Sequence, residues 1–485
     1  MADRPRSMLE VKRWRPVVLV LIAAVSVASC GSTATPPTSS ATQAVGQPAG
    51  TPAASVTAAT VTSTPMPTPT PRSAWHAYTA KGPIGQVTAA PDGTVYVSSG
   101  AATGTDAVVA LDPSGQVKPG WPYQTGDKWI SGIDLAPDGT VYVVSGGLSN
   151  DSPGHLVALG TDGNAMPGWP VALQSMPWEL KFAADGTAYF DGSTQADNYI
   201  YAVDSSGKAM AGWPVHLEGQ QGENFVLSSD GTVYFGTSTI TTSSMLNRVH
   251  AYGPDGQPRP GWPPARDLQS PTLVPDGALY VAAGKTIAAY EPDGTPKPDW
   301  HSVTLPGSQV GSFVVAPDGT IYVEILGGPT ALDQLVALDP TGALMSGWQP
   351  FSVPKGTYWY PPVIGSTGVV YVTESLAQGN SSVPGPTIAL GHDGLPLSTW
   401  PKNLISTRGE PTVAPDGTVY VVTGTTVSAF APDGTPQPGW PYKPSGSYTN
   451  LNLAIGPDGT VYVTAVGPES TVVALTPAGT PVGPQ

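Results

Sequence analysis

A unit of about 45 residues recurs nine times along this chain, and the ninth copy lacks its last part. Each copy holds a first turn and strand of the type PDGTVYV, then a second of the type ALDPSGQVKPGW. The first-turn glycines run from Gly93 and Gly139 to Gly459, with a tyrosine three residues after each, from Tyr96 to Tyr462. The second-turn glycines run from Gly115 to Gly479, and six residues beyond each of the first eight stands a tryptophan, from Trp121 to Trp440. The ninth copy ends at Gln485, where its tryptophan belongs, and the W-x-x-Y piece stands instead at Trp75 to Tyr78. An array whose two ends complete one another predicts a closed ring.

The turn chemistry selects the kind of ring. Asp-Gly supplies a residue tolerant of positive φ between runs rich in Val, Tyr and Ala, which is the grammar of tight antiparallel connections. In the first unit we expect a strand A at Gln86 to Ala90, B at Thr94 to Ser98, C at Val108 to Leu111 and D around Trp121. Four short strands per unit make a propeller blade. The expectation is an all-β fold: a single closed β-propeller of nine four-stranded blades, with eight as the alternative count, its last blade completed by the N-terminal strand. The 58 glycines and 55 prolines fit a turn-rich chain, and 40% hydrophobic residues fill a core in which each blade packs only on its neighbours. The repeated tyrosines and tryptophans then fill the wedges between blades. The turn aspartates, such as Asp92, Asp138, Asp276 and Asp416, cap their own turns, since no loop of the D-x-D-x-D-G type marks a calcium site.

The first residues do not fit the repeat. Arg4, Arg6, Lys12, Arg13 and Arg15 precede an apolar stretch from Pro16 to Ala28 that is short for a spanning helix. It ends in Val27-Ala28-Ser29-Cys30, which resembles the lipobox of bacterial lipoproteins. Residues 1–29 are therefore expected to be a lipoprotein signal peptide, with Cys30 lipidated. Cys30 is the only cysteine, so the chain cannot form an internal disulfide. Residues 30–73 are rich in Thr, Pro, Ser and Ala and cannot bury enough surface to fold. As a semi-rigid stalk they would reach up to roughly 130 Å and lift the propeller, residues 74–485, away from a membrane. An extracytoplasmic, membrane-anchored protein is the expectation.

The formal charge of −15, with only 20 basic residues and several of those in the leader, disfavours nucleic acid as a partner. Strand connectivity places both Asp-Gly turns of every blade on one face, which is uniform, and the B–C and D–A connections on the other, which varies. The variable face includes the B–C segments Leu148 to His155, Gly192 to Tyr199, Ser238 to Arg248 and Glu374 to Pro386. Its D–A segments carry Lys128 and Trp129, Trp178 and Glu179, Arg266 and Asp267, the aromatic run Tyr358, Trp359 and Tyr360, and Arg408 with Glu410. Variable loops on a rigid scaffold are where function concentrates. A further row, seven residues before each first-turn glycine, includes Gln86, Glu179, Asn224, Ser312, Glu410 and Asn452 and is expected at the mouth of the central channel. The candidate binding face is thus Trp129, Trp178, Glu179, Asn224, Tyr358, Trp359, Tyr360, Arg408 and Glu410. The aromatic run reads as an exposed loop that needs either a local pocket or a partner.

Catalytic signals are thin. The six histidines show no H-E-x-x-H spacing, and there is no G-x-S-x-G and no phosphate loop. The segment Ala110-Leu111-Asp112-Pro113-Ser114-Gly115-Gln116 with Trp121, repeated at Ala337 to Gly342 with Trp348, resembles the tryptophan-docking motif of quinoprotein-type propellers. The tryptophan falls two residues later than in that family, and nine blades exceed its usual eight. The resemblance implies either a cofactor-free lipoprotein scaffold or a dehydrogenase using pyrroloquinoline quinone and calcium. The dehydrogenases carry a vicinal disulfide, which one cysteine cannot form, and Glu179 with Asn224 echoes their calcium ligands only loosely. The stronger expectation is a cofactor-free, monomeric scaffold that binds an envelope or extracellular protein or glycan. A membrane-tethered quinone dehydrogenase and a polysaccharide hydrolase or lyase are the alternatives.

Overall fold

A computed structural model describes residues 75–482 apart from the segments 101–104, 148–153, 174–178, 194–197, 218–219, 222–224, 241–244, 263–267, 275, 328–331, 354–356 and 379–380. The expected signal peptide, Cys30 and the stalk lie outside the described residues, as do Trp178 and Asn224. Among the described residues there is no helix, and the strands form nine separate antiparallel sheets of three or four strands. The chain is a nine-bladed β-propeller.

Blade 1 shows the pattern: strand A at Ile84–Ala89, B at Val95–Ser99, C at Ala107–Leu111 and D at Tyr123–Gln124. Strand D therefore begins after Trp121 rather than around it. The tryptophan stays on the turn side, where in blades 1, 2, 3, 4 and 8 its indole Nε1 donates to a carbonyl of the next blade's second turn, as Trp213 does to Pro254 O at 2.9 Å. In blades 5, 6 and 7 the indole turns back to its own strand C, as Trp400 does to Thr387 O at 2.8 Å.

The repeated aromatics do what packing requires of them. Every blade pairs its tyrosine with a tryptophan at 5.1 to 5.5 Å between ring centroids. All nine tyrosines are at most 4% exposed. Burial pushes the Tyr96, Tyr234, Tyr371 and Tyr420 hydroxyls up to about 12. In blade 9 the partner of Tyr462 is Trp75, and Tyr78–Ala80 pairs antiparallel with Val472, Thr471 and Ser470. One apolar cluster joins Trp75, Tyr462 and Val472 to Ile84, Val95 and Val109 of blade 1.

The turns hold the blades close. Gly342 has φ of 88°, and a Cβ there would lie 2.6 Å from the His301 carbonyl of the preceding blade. Only glycine satisfies both conditions. The turn aspartates serve the turns themselves. Asp293 Oδ1 accepts from the Thr295 hydroxyl at 2.6 Å and its amide at 2.9 Å, and these bonds hold its carboxyl below the usual range.

Blades 4 and 7 break the pattern in the same way. Each splits strand A in two, at Gln220–Gln221 and Val226–Leu227 in blade 4 and at Thr357–Trp359 and Val363–Ile364 in blade 7. The outer piece pairs with a lengthened strand B, Val233–Ile240 or Val370–Gln378, which pairs in turn with Met245–Tyr252 or Ser381–Leu390. Much of what the sequence reads as the loops Ser238 to Arg248 and Glu374 to Pro386 is thus hairpin arm. Thr and Ser sustain the period-2 pattern of a strand without an apolar core side, which is why polarity alone suggests a loop.

Candidate functional site

The variable face is built from the B–C and D–A connections, and three of its regions hold the expected residues. Near blades 1 and 2, Trp129 begins strand A of blade 2 (Trp129–Leu135), half-buried and opposite Gly146. Beside it is a polar cluster that the sequence does not disclose. Asp127 Oδ2 accepts the Ser145 hydroxyl at 2.7 Å and lies 2.9 Å from His155 Nδ1. Its backbone carbonyl accepts the Asp106 amide at 2.8 Å, fixing the D–A connection to the start of strand C. The Asp127 side chain is 15% exposed and that of His155 38%, so the carboxylate is sheltered while the imidazole reaches solvent. Asp127 lies on the D–A connection and His155, 28 residues later, on strand C of blade 2 (Gly154–Leu159), and no local motif joins them.

The second region lies between blades 7 and 8. Trp359 is not in an exposed loop: it is on a strand, 7% exposed, packed 5.8 Å from Phe351, and its indole Nε1 is buried without a hydrogen-bond partner. The Tyr358 side chain lies outside the described residues. Tyr360 is half-buried and its amide donates to Thr373 O at 3.0 Å. A Cβ on Gly409 would stand 2.7 Å from the Tyr360 ring, so the ring lies over the backbone joining Arg408 to Glu410. Burial first, and then the Glu410 charge, push the Tyr360 hydroxyl up, while a bond with Ser375 opposes them. Tyr360, Arg408 and Glu410 stand together here, while Trp359 belongs to the core. Above them the blade 7 arm exposes a cross-strand pair, Leu376 opposite Val383, at 38% and 36%, with Ile405 nearby at 47%. None of these three stands out in the sequence.

The third region is the row expected at the channel mouth. Asn452 pairs in regular register with Thr464. Gln86 and Ser312 sit where strands A and B slip register, between Ile84 and Val87 and between Val310 and Phe313, and Glu179 stands just before its strand A. Their freed amides are taken up by side chains of strand B: Gln86 N by Ser98 Oγ at 2.7 Å, Glu179 N by Asp191 Oδ1 at 2.7 Å, and Ser312 N by Glu324 Oε2 at 3.0 Å. Gln86 also grips the next blade, with Oε1 accepting from Ile133 N at 2.9 Å and Nε2 donating to Ile133 O at 3.3 Å. The structure thus shows these members joining bulges and neighbouring blades. Glu179 Oε1 is ion-paired with Lys181 at 2.8 Å, while its Oε2 is buried without a hydrogen-bond partner. No group of three or more His, Cys, Asp or Glu able to hold a metal occurs among the described residues.

No family model matches the chain, and no curated protein matches it. Among solved structures it is similar to a eukaryotic initiation factor, at 12% identity and a TM-score of 0.47 over 75% of this chain and 88% of that one. It is similar also to the WD40 domain of Neurospora crassa Pan2, at 10% identity and a TM-score of 0.36 over 81% of this chain and 88% of that one. A virginiamycin B lyase from Staphylococcus aureus matches at 13% identity and a TM-score of 0.32 over 61% of this chain and 95% of that one. None of these likenesses carries a functional inference.

Proposed function

We propose that this chain is a lipid-anchored, stalked propeller, held outside the bacterial cytoplasm, that binds an envelope or extracellular protein or glycan through its variable face. The observation that carries this reading is the confinement of the repeat's departures to one face. There the blade 7 arm presents Leu376 and Val383 to solvent, whereas the opposite face is made of nearly identical turns. A rigid scaffold with one individualised face is what selective docking needs.

Closure of the ring by the N-terminal strand belongs to the same reading, supported by the pairing of Tyr78–Ala80 with blade 9. Trp75 lies on the turn side, where the next amide, His76 N, donates to Ser114 O of a blade 1 turn at 2.7 Å. Labelling cells with a palmitate analogue tests the anchor: incorporation is expected, and a Cys30→Ser chain that labels equally overturns it.

The docking reading is tested by capturing envelope components on the immobilised propeller. The bound set should be lost with Leu376→Ser/Val383→Ser and kept with Val117→Ser on the turn face. Equal capture by all three overturns it. One observation favours a second reading, a polysaccharide hydrolase or lyase: the Asp127 carboxylate orients His155 through Nδ1, as a general base requires. Cleavage of a polysaccharide that disappears with His155→Ala would establish it.

A further inference from the structure

The seam between blade 9 and blade 1 holds a groove of about 350 Å³ on the variable side, at the low end of the size range of small-molecule sites. One wall comes from the N-terminal strand and the residues after it, Tyr78 and Lys81; the other comes from blade 1, with Ser99, Thr105 and Gln124. Val109 and Pro122 supply apolar surface. A bond between the Tyr78 and Ser99 side chains ties the walls together, and the Gly100 amide donates to Pro83 O at 2.8 Å at the rim. Among the described residues lining the groove, Lys81 is the only charged one. The adjacent carboxylate of Asp106 accepts the Ile130 amide at 3.3 Å.

This lining has a specific chemistry. An aromatic ring with aliphatic neighbours suits the C–H face of a sugar ring. Two hydroxyls and a side-chain amide suit its hydroxyl groups, since each both donates and accepts. A lone ammonium calls for one negative charge. Among the described residues the groove has neither an arginine fork nor a helix end to cradle a phosphate. A carboxylate fits the single ammonium. The geometry points to a binding site for a hexuronate, the carboxylated sugar unit of acidic polysaccharides, formed only when the N-terminal strand is seated against blade 1. This inference rests on the docking reading above and narrows it to one ligand class at one place.

Calorimetric titration of the full chain with D-glucuronate and with D-glucose tests it. Glucuronate should bind, and glucose should bind at least about tenfold more weakly, because it leaves the ammonium without its charge-assisted partner. Lys81→Ala should weaken glucuronate binding by a similar factor with an unchanged melting temperature, since Lys81 is exposed. Lys443→Ala, which lies outside the groove lining, should bind as the parent does. Bound glucuronate should also raise the melting temperature, because the site needs the seated strand. The inference is overturned if folded protein takes up no glucuronate, if glucose binds equally well, or if Lys81→Ala makes no difference. A blank titration beside a positive envelope capture removes the groove alone; blanks in both remove the docking reading too.

Discussion

Asn452 in blade 9 donates its side-chain amide to the Gly85 carbonyl of blade 1 at 2.9 Å, joining positions 367 residues apart. One blade further on, the Gln86 amide group engages Ile133 in both directions. These contacts link three consecutive blades across the seam. Asn452→Ala and Gln86→Ala are each expected to cost about 0.5–1.5 kcal/mol, the net worth of such bonds. Urea unfolding should show lower midpoints at unchanged slope; midpoints equal to the parent's would remove the clasp from the account of the seam.

Trp75 is 2% exposed and takes the place in blade 9 that the blade's own tryptophan takes elsewhere. Trp75→Ala should therefore destabilise the propeller by about 3–5 kcal/mol, the usual loss for a buried tryptophan. A residue in a loosely attached tail would show almost none of this, so calorimetric melting separates the two cases.

Gly342→Ala should destabilise by more than about 1 kcal/mol from the backbone conformation alone, with the clash against the His301 carbonyl added. Gly139, also at positive φ, meets nothing within 4 Å, so Gly139→Ala should cost less. Equal losses would mean that blade packing adds nothing at Gly342.

Glu324 is buried, and burial pushes its carboxyl up; bonds from the Ser312 hydroxyl at 2.8 Å and amide at 3.0 Å only partly oppose this, and the Asp333 charge adds to the rise. A carboxyl raised in the folded state leaves stability intact below its unfolded value and lowers it as pH climbs through the raised one. Glu324→Gln should thus raise the melting temperature at pH 8 relative to the parent and lose that advantage at pH 4. The same advantage at both values would contradict the linkage.

Leu376→Ser with Val383→Ser should leave folding within about 1 kcal/mol of the parent, the scale of a cross-strand pair, while reducing capture of envelope partners. Circular dichroism melting and the capture experiment together check this.

The ring was legible in the sequence because its determinants are local and repeated. Gly93 and Tyr96 or Gly115 and Trp121 fall at fixed spacings, and each blade restates them. Tyr360 meets the backbone between Arg408 and Glu410 only through the packing of blades 7 and 8, which no spacing in the sequence encodes. Trp359 misleads because an aromatic run says nothing of which ring the blade wedge will take. Asp127, Ser145 and His155 stay hidden because they meet only when the D–A connection reaches strands B and C of blade 2. Leu376 and Val383 stay hidden because strand alternation normally turns such residues inward, and here the arm outruns the core.

The contact between Trp75 and Tyr462 has a consequence for how the molecule comes into being. The residues of the W-x-x-Y piece are made long before their partners, Tyr462 and Ser470 to Val472. Until those partners are made, that strand has nothing to pair with. A chain broken off before residue 462 keeps an indole with no tyrosine to cover it and a strand edge open to proteases. Blade 9 thus covers its inner indole only once residues at both ends of the repeat array have been made.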